Sequence, residues 1–490
     1  MIILDRLKVW VFEVLSFPGL AGQKPGYLEL SLAIIEAIKS GRLPTNSPLP
    51  PSRVLAESLG VSRDTILGAY RHLKNLGWVT SHGTRGTFVA AVMDVPELLP
   101  QSSPIDANRL STYSVKLFSE PNTQFFSDEP VIYGAVPKEC LPFRRWKAAT
   151  QRNTEPLSFH ELWYESAVLG HPKLRAAISA FLNRSTGIHC TSDEVAVFNI
   201  PFNALALICR LFMEPGDAIA MEEPGYGGVR DVAAYLGFDI LPVPLDAEGI
   251  SVDYIKRCGR QIKLVYVTPS HQEPTGLTMT LSRRKELMSW AQKNNALIIE
   301  DDYEGLFHYG QTMPPPLKSM DTQDNVIYLS SFWQILYPLT TLCFVVIPYS
   351  FIDLLQRAKR NTASLTENLA QLALAEILDD GYLQKHVRKL ERQFAASRRT
   401  LIYELKRNFG AGVDLPAKTG GLTIVARFSG YLDQNLTAAA RKANLALTST
   451  ESFYHDHPSR QPGEFLIFFA GLDQSQIRKT VENFRKEVST

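Results

Sequence analysis

Hydrophobic and polar positions along this chain switch between a helical and a strand-like period. Within residues 27–39, apolar side chains recur at Leu28, Leu32, Ile35 and Ile38, a spacing that predicts a helix stopped by Gly41. Pro48, Pro50 and Pro51 make a stiff connector. Residues 52–59 read as a second, short helix closed by Gly60, and Ser62 is a good N-cap for a third over 63–76, closed by Gly77. Residues 78–81 and 87–90 then read as two strands around the turn His82-Gly83-Thr84-Arg85-Gly86. Two short helices joined by Gly60-Val61-Ser62 form a helix-turn-helix, and the strand pair adds a wing.

Residues 93–122 show several Pro and Ser, no sustained periodicity and no glycine, which predicts an extended, partly ordered tether. Beyond it, helical and strand-like segments alternate, as in an α/β layered fold. Strands are expected at 194–199, ahead of Asp301 and Asp302, at 326–329 and at 342–347, with a strand and turn at 218–227 and a helix at 202–213. The long segment 382–408 is rich in Arg and Lys and reads as a helix with a solvated face. The expected division is 1–92 for the first domain, 93–122 for the linker and 123–490 for the body, with a small C-terminal α/β subdomain from about residue 350.

Net charge, +1 over 490 residues, excludes nothing by itself. Its distribution adds something: residues 24–92 carry eight cations and four anions, so the basic excess sits on the helix-turn-helix. Five scattered cysteines without a CxxC pair argue against a disulfide framework or zinc site and for a reducing, cytoplasmic setting. No apolar run approaches the roughly 20 residues that span a bilayer, so no membrane partner is expected. The apolar start of the chain is broken by Asp5, Arg6, Lys8 and Glu13, which is unlike a signal peptide.

The stretch from Gly41 to Ala90, GRLPTNSPLPPSRVLAESLGVSRDTILGAYRHLKNLGWVTSHGTRGTFVA, resembles the winged-helix DNA-binding domain of the GntR superfamily almost position by position. A double-stranded DNA operator is therefore the expected partner. In such a domain the first turn of the third helix meets base edges, which assigns Ser62, Arg63 and Thr65 to the operator. Arg63 can reach guanine or a phosphate. Arg53, at the start of the second helix, faces the DNA backbone, and Thr84 and Arg85 at the wing tip suit the minor groove or phosphate. Asp64 caps or orients Arg63, or accepts from a cytosine.

The body resembles fold-type I aminotransferases. The resemblance rests on Gly170-His171-Pro172-Lys173-Leu174-Arg175, on the loop LVYVTPSHQEPTGLTMT that begins at Leu264, on ALIIEDDYEGLFHY that begins at Ala296, and on YLSSFWQILYPLTTLCFVVIP that begins at Tyr328. With the N-terminal domain, this is the architecture of the MocR regulators. The resemblance implies a homodimer with sites at its interface, and pyridoxal phosphate (PLP) as the family cofactor. It places a carboxylate for the pyridinium nitrogen at Asp301, a ring-oxygen contact at Tyr303 and a ring neighbour at Tyr226. The anchoring positions are changed. Gln334 stands where the Schiff-base lysine belongs, Trp333 at the phosphate serine and Thr341 at the phosphate arginine. Ile200-Pro201 replaces the glycine turn that cradles phosphate, and Leu466 falls at the arginine that holds a substrate carboxylate. An amide nitrogen forms no aldimine, and Pro201 has no N–H to donate.

The expectation is thus a GntR-type winged helix fused to an aminotransferase-like body with a degenerate PLP site, a transcription regulator rather than an enzyme. The body then serves as a dimerisation scaffold or senses another small-molecule effector. The competing expectation is a PLP enzyme using another lysine, Lys318 being the nearest, while Arg427 or Arg460 could replace the carboxylate arginine. Asp301 and Asp302, adjacent on a strand, should point to opposite faces. His271, His308 and His386 read as isolated histidines without a catalytic role.

Overall fold

A computed structural model describes residues 24–90, 110–111, 113–115, 134, 136–154, 168–310, 312–362, 366–416, 421–455 and 460–489. The segment that begins the chain and nearly all of the expected linker lie outside the described residues. The chain divides into two units, Met1–Ser111 and Thr112–Thr490.

In the first unit, α1 (Tyr27–Lys39), α2 (Ser52–Leu59) and α3 (Arg63–Asn75) precede a hairpin of β1 (Val79–Ser81) and β2 (Thr87–Val89). Leu30, Ile34, Leu55, Ile66 and Leu73 are fully buried between the helices. Each contributes roughly 1.5–3 kcal/mol relative to an exposed side chain. Gly60 ends α2 at φ 64°, a left-handed conformation that favours glycine. The Ser31 hydroxyl donates to Tyr27 O at 2.7 Å and reaches Ala69 O at 3.4 Å, tying α1 to α3. Tyr70 OH donates to Pro50 O at 2.7 Å and fixes the proline connector.

The second unit begins with α4 (Phe143–Thr154), α5 (Pro172–Ser185), β3 (Val195–Phe198), α6 (Pro201–Phe212), β4 (Ala218–Glu223), α7 (Gly227–Leu236), β5 (Asp239–Asp246), β6 (Gly249–Ile250) and α8 (Val252–Arg257). It continues through β7 (Ile262–Val267), α9 (Leu281–Lys293), β8 (Leu297–Asp302), α10 (Leu317–Met320), β9 (Val326–Ser331), α11 (Trp333–Leu336) and β10 (Cys343–Val346). These strands form one sheet in the order β3-β10-β9-β8-β7-β4-β5-β6. Strands β9, β8, β7, β4 and β5 run parallel, and β10 is antiparallel to both of its neighbours. The parallel strands are nearly continuous apolar runs because helices cover both faces.

Helices α12 (Ile352–Asn361), α13 (Asn368–Asp379) and α14 (Tyr382–Phe409) lead to β11 (Val413–Asp414), β12 (Thr423–Phe428), α15 (Asp433–Ala443), β13 (Leu447–Ser449), β14 (Glu464–Phe468) and α16 (Gln474–Ser489). The four strands make an antiparallel sheet in the order β11-β12-β14-β13. Helix α14 buries Leu383, Val387, Leu390, Phe394, Leu401 and Leu405 on one face, as the sequence pattern implies. No described helix is long and apolar enough to cross a membrane. Among the described residues, no group of three or more His, Cys, Asp or Glu is placed to hold a metal ion.

Candidate functional site

Helix α3 opens on Ser62, whose hydroxyl accepts from Thr65 N at 3.1 Å and lies 2.8 Å from the Thr65 hydroxyl. Ser62 and Thr65 therefore cap the helix and leave its first turn to present Arg63. Arg63 is exposed, and its Nε reaches the Ser52 hydroxyl at 3.4 Å. Arg53, one residue into α2, is exposed beside it, and Asp64 is exposed on the same turn of α3. At the wing, Arg85 is exposed in the turn between β1 and β2, where His82 N donates to Gly86 O at 2.9 Å. The Thr84 side chain lies outside the described residues.

The second site lies at the carboxyl ends of the parallel strands, the usual ligand position of such sheets. At the end of β8 the two aspartates diverge as the strand period requires. Tyr266 OH donates to Asp301 Oδ2 at 2.5 Å, while Tyr328 OH donates to Asp302 Oδ2 at 2.7 Å. Burial pushes the Asp301 carboxyl up to about 7, against the lowering effect of the Tyr266 hydrogen bond. The Tyr226 ring stacks on Tyr266 with centroids 6.3 Å apart and planes at 27°. Tyr226, Tyr266 and Asp301 thus meet in one place. Tyr303 follows two residues beyond Asp301 and is half-buried.

Gln334 is buried in the short helix α11. Its Nε2 donates to Glu304 Oε1 at 2.8 Å, and its own Oε1 has no hydrogen-bond partner among the described residues. Glu304 also accepts from Leu422 N at 3.4 Å, and burial raises its carboxyl to about 7. A Cβ at Gly421 would run into this carboxylate, so only glycine fits there. The Trp333 ring lies on Tyr337, with centroids 3.8 Å apart. Thr341 is half-buried just ahead of β10. Helix α6 starts with Pro201 at its first position, and Asn203 N turns back to Ile200 O at 3.1 Å. Leu466 is 1% exposed and packs with Val425 and Phe453.

Several expectations are corrected. Lys318 cannot serve this site. It sits in α10, its Nζ 3.7 Å from Asp321 Oδ2, and Asp321 accepts from Val326 N at the opposite, amino end of β9. That strand spans roughly 17 Å at about 3.3 Å per residue. Arg427 and Arg460 are engaged by Glu464 and Asp433. Arg427 Nε donates to Glu464 Oε2 at 2.7 Å, and Arg460 Nη1 to Asp433 Oδ2 at 2.6 Å. His271 and His308 are a stacked pair, ring centroids 5.6 Å apart, rather than isolated residues. Burial, His308 and Arg284 push His271 down to about 3, so it stays neutral.

Sequence reasoning missed Tyr266, Glu304 and Glu222. Glu222 Oε2 accepts from Thr268 Oγ1 at 2.6 Å, Thr268 N at 3.1 Å and Gln272 Nε2 at 3.3 Å, so the Thr and Gln of the TPSHQ loop exist to hold it. That loop was the available signal. Glu304 gave none, since one acid after a strand reads as solvated.

Residues 137–484 match the family model of aminotransferases class I and II, and residues 27–89 match that of bacterial regulatory proteins of the gntR family. An uncharacterized HTH-type transcriptional regulator of Bacillus subtilis, YdeL, is 30% identical over 94% of this chain and 96% of its own length. The probable rhizopine catabolism regulatory protein MocR of Rhizobium meliloti is 29% identical over 94% of this chain and 93% of its own. The chain belongs to the MocR-type regulators. This MocR-type chain therefore carries a GntR DNA-binding domain ahead of a body from a PLP-dependent family. The α-aminoadipate aminotransferase LysN of Thermus thermophilus, solved with N-(5'-phosphopyridoxyl)-L-leucine, shares the body's fold. It superposes with a TM-score of 0.69 at 21% identity, covering 78% of this chain and 98% of LysN.

Proposed function

We propose that this MocR-type chain is a transcription regulator that acts as a homodimer, reads two operator half-sites with its two winged helices, and holds no PLP aldimine in its aminotransferase-like body. The operator contacts are Arg53, Ser62, Arg63, Thr65, Thr84 and Arg85. The observation that carries the DNA reading is the first turn of α3, where Ser62 and Thr65 close the cap and Arg63 stands exposed with a long contact to Ser52. Half-site spacing near one helical turn of DNA follows from two-fold symmetry. A cytoplasmic location fits a DNA-binding protein.

The body's residues do not fit PLP as a covalent group. The lysine position is an amide committed to Glu304, and Pro201 opens the phosphate-side helix without a donor; at the substrate-carboxylate position, Leu466 is sealed in an apolar contact. The body then dimerises and senses a small molecule at the remodelled positions Tyr226, Asp301, Tyr303 and Gln334.

Gel shifts on the chain's own upstream DNA test the operator reading. Arg63→Ala is expected to weaken specific binding by roughly 1–3 kcal/mol. Unchanged affinity would remove Arg63 from the interface.

A further inference from the structure

The second unit begins at Thr112, inside the stretch that the sequence marks as a linker. Just past that boundary, residues 113–115 form a helical turn. The Tyr113 ring meets Tyr235, near the end of α7, edge to face, with centroids 5.5 Å apart and planes at 71°. Tyr235 in turn meets Phe202, in the first turn of α6, at 6.0 Å and 54°. Three rings from three separate segments therefore run in a row, from the linker to the start of α6.

The body's side of this row has the character of a docking surface. Tyr235 is 52% exposed even with Tyr113 against it, so its ring takes no part in the core. Phe202 is half-buried: it packs against the core beneath α6 and keeps part of its ring open. Ile200, just ahead of it, is 38% exposed. Apolar surface grouped in this way is stabilised by a ring that covers it. The occupant follows from the contact itself: Tyr113, an aromatic side chain in a stretch otherwise rich in Pro and Ser, already touches Tyr235.

We infer that the linker is strapped to the body at Tyr113, on an aromatic cradle formed by Tyr235 and Phe202, and that this strap sets the free length of the tether to the winged helix. The last described residue of the winged helix is Ala90. Beyond Tyr113, the next described fastening on the body is Val136, whose N–H donates to Gln334 O at 2.6 Å. Releasing Tyr113 thus about doubles the free chain after Ala90. For two winged helices on one dimer, the effective concentration of the second falls roughly as the −3/2 power of tether length, so about threefold. Phe202 follows Ile200-Pro201 directly, so a ligand that shifts the opening of α6 shifts the cradle with it. The tether's effect on operator binding rests on the functional reading above, whereas the strap itself does not.

Limited trypsin digestion of the full chain tests the strap, because Arg109 and Lys116 flank the turn and cleavage there tracks the population in which it has opened. Tyr113→Ala and Tyr235→Ala should each speed cleavage roughly fivefold or more, and the double variant no more than either alone. Tyr235→Phe should keep the wild-type rate, since a phenyl ring makes the same contact. A half-exposed Tyr235 is replaced without opening the core, so a cleavage rate that Tyr235→Ala leaves unchanged overturns the strap. Gel shifts on the chain's own upstream DNA read the consequence. Tyr235→Ala is expected to weaken binding to a fragment with both half-sites about threefold and to leave a single half-site unaffected. Equal affinity of variant and wild type for the full fragment would overturn the tether's role. A wild type that binds no DNA would instead sink the operator reading, and the digestion would still decide the strap.

Discussion

Replacing Glu304 by glutamine probes the buried acid at the centre of the remodelled site. Glu304 is 5% exposed, accepts from Gln334 Nε2 and Leu422 N, and has its carboxyl raised by burial from 4.5 to about 7. A carboxyl whose pKa is higher folded than unfolded holds its proton more tightly in the folded chain. The stability it contributes is complete below about pH 4.5 and is lost as the pH rises to about 7. At about 1.36 kcal/mol per pH unit, that interval corresponds to roughly 3 kcal/mol. Glutamine keeps a carbonyl acceptor for both donors and carries no charge at any pH. The variant should therefore gain on the wild type as pH rises, by up to roughly 3 kcal/mol between about pH 5 and about pH 8. Urea unfolding followed by tryptophan fluorescence at the two pH values, compared through the midpoints, reads this directly. An identical stability difference at both pH values would refute the assignment of a buried, largely protonated Glu304.

Two further outcomes are expected. Ser62→Ala removes the acceptor for Thr65 N and should destabilise the winged helix by about 1 kcal/mol, measured by thermal melting of the first unit's transition. Gln334→Lys should place an ammonium against Glu304 and still yield no PLP chromophore, because the phosphate side offers Pro201 and Thr341; a yellow, tightly bound product from that single substitution would show the phosphate contacts to be dispensable.

Much of the winged helix was legible in the sequence because local signals agree there. The Ser62 cap and Gly60 in its left-handed turn act within a few residues; the helix over α1 was legible too, but its buried face was not, since Leu28 and Leu32 are exposed and Leu30, Ala33, Ile34 and Ala37 pack inward instead. The opposite facing of Asp301 and Asp302 was legible for the same reason, since a strand has period two. What failed depended on distant partners. Lys318 looked close in sequence to position 334 but lies at the other end of β9. His271 and His308 are joined only by the fold. Glu304 is buried only because Gln334, Gly421 and Leu422 converge on it from three separate segments.

The most direct test of a body without covalent PLP is the visible absorption spectrum of the purified protein with added PLP, before and after borohydride reduction, read with intact mass. The expected result is no aldimine band and no mass gain. A band that reduction fixes onto a lysine would contradict it and return the body to PLP chemistry.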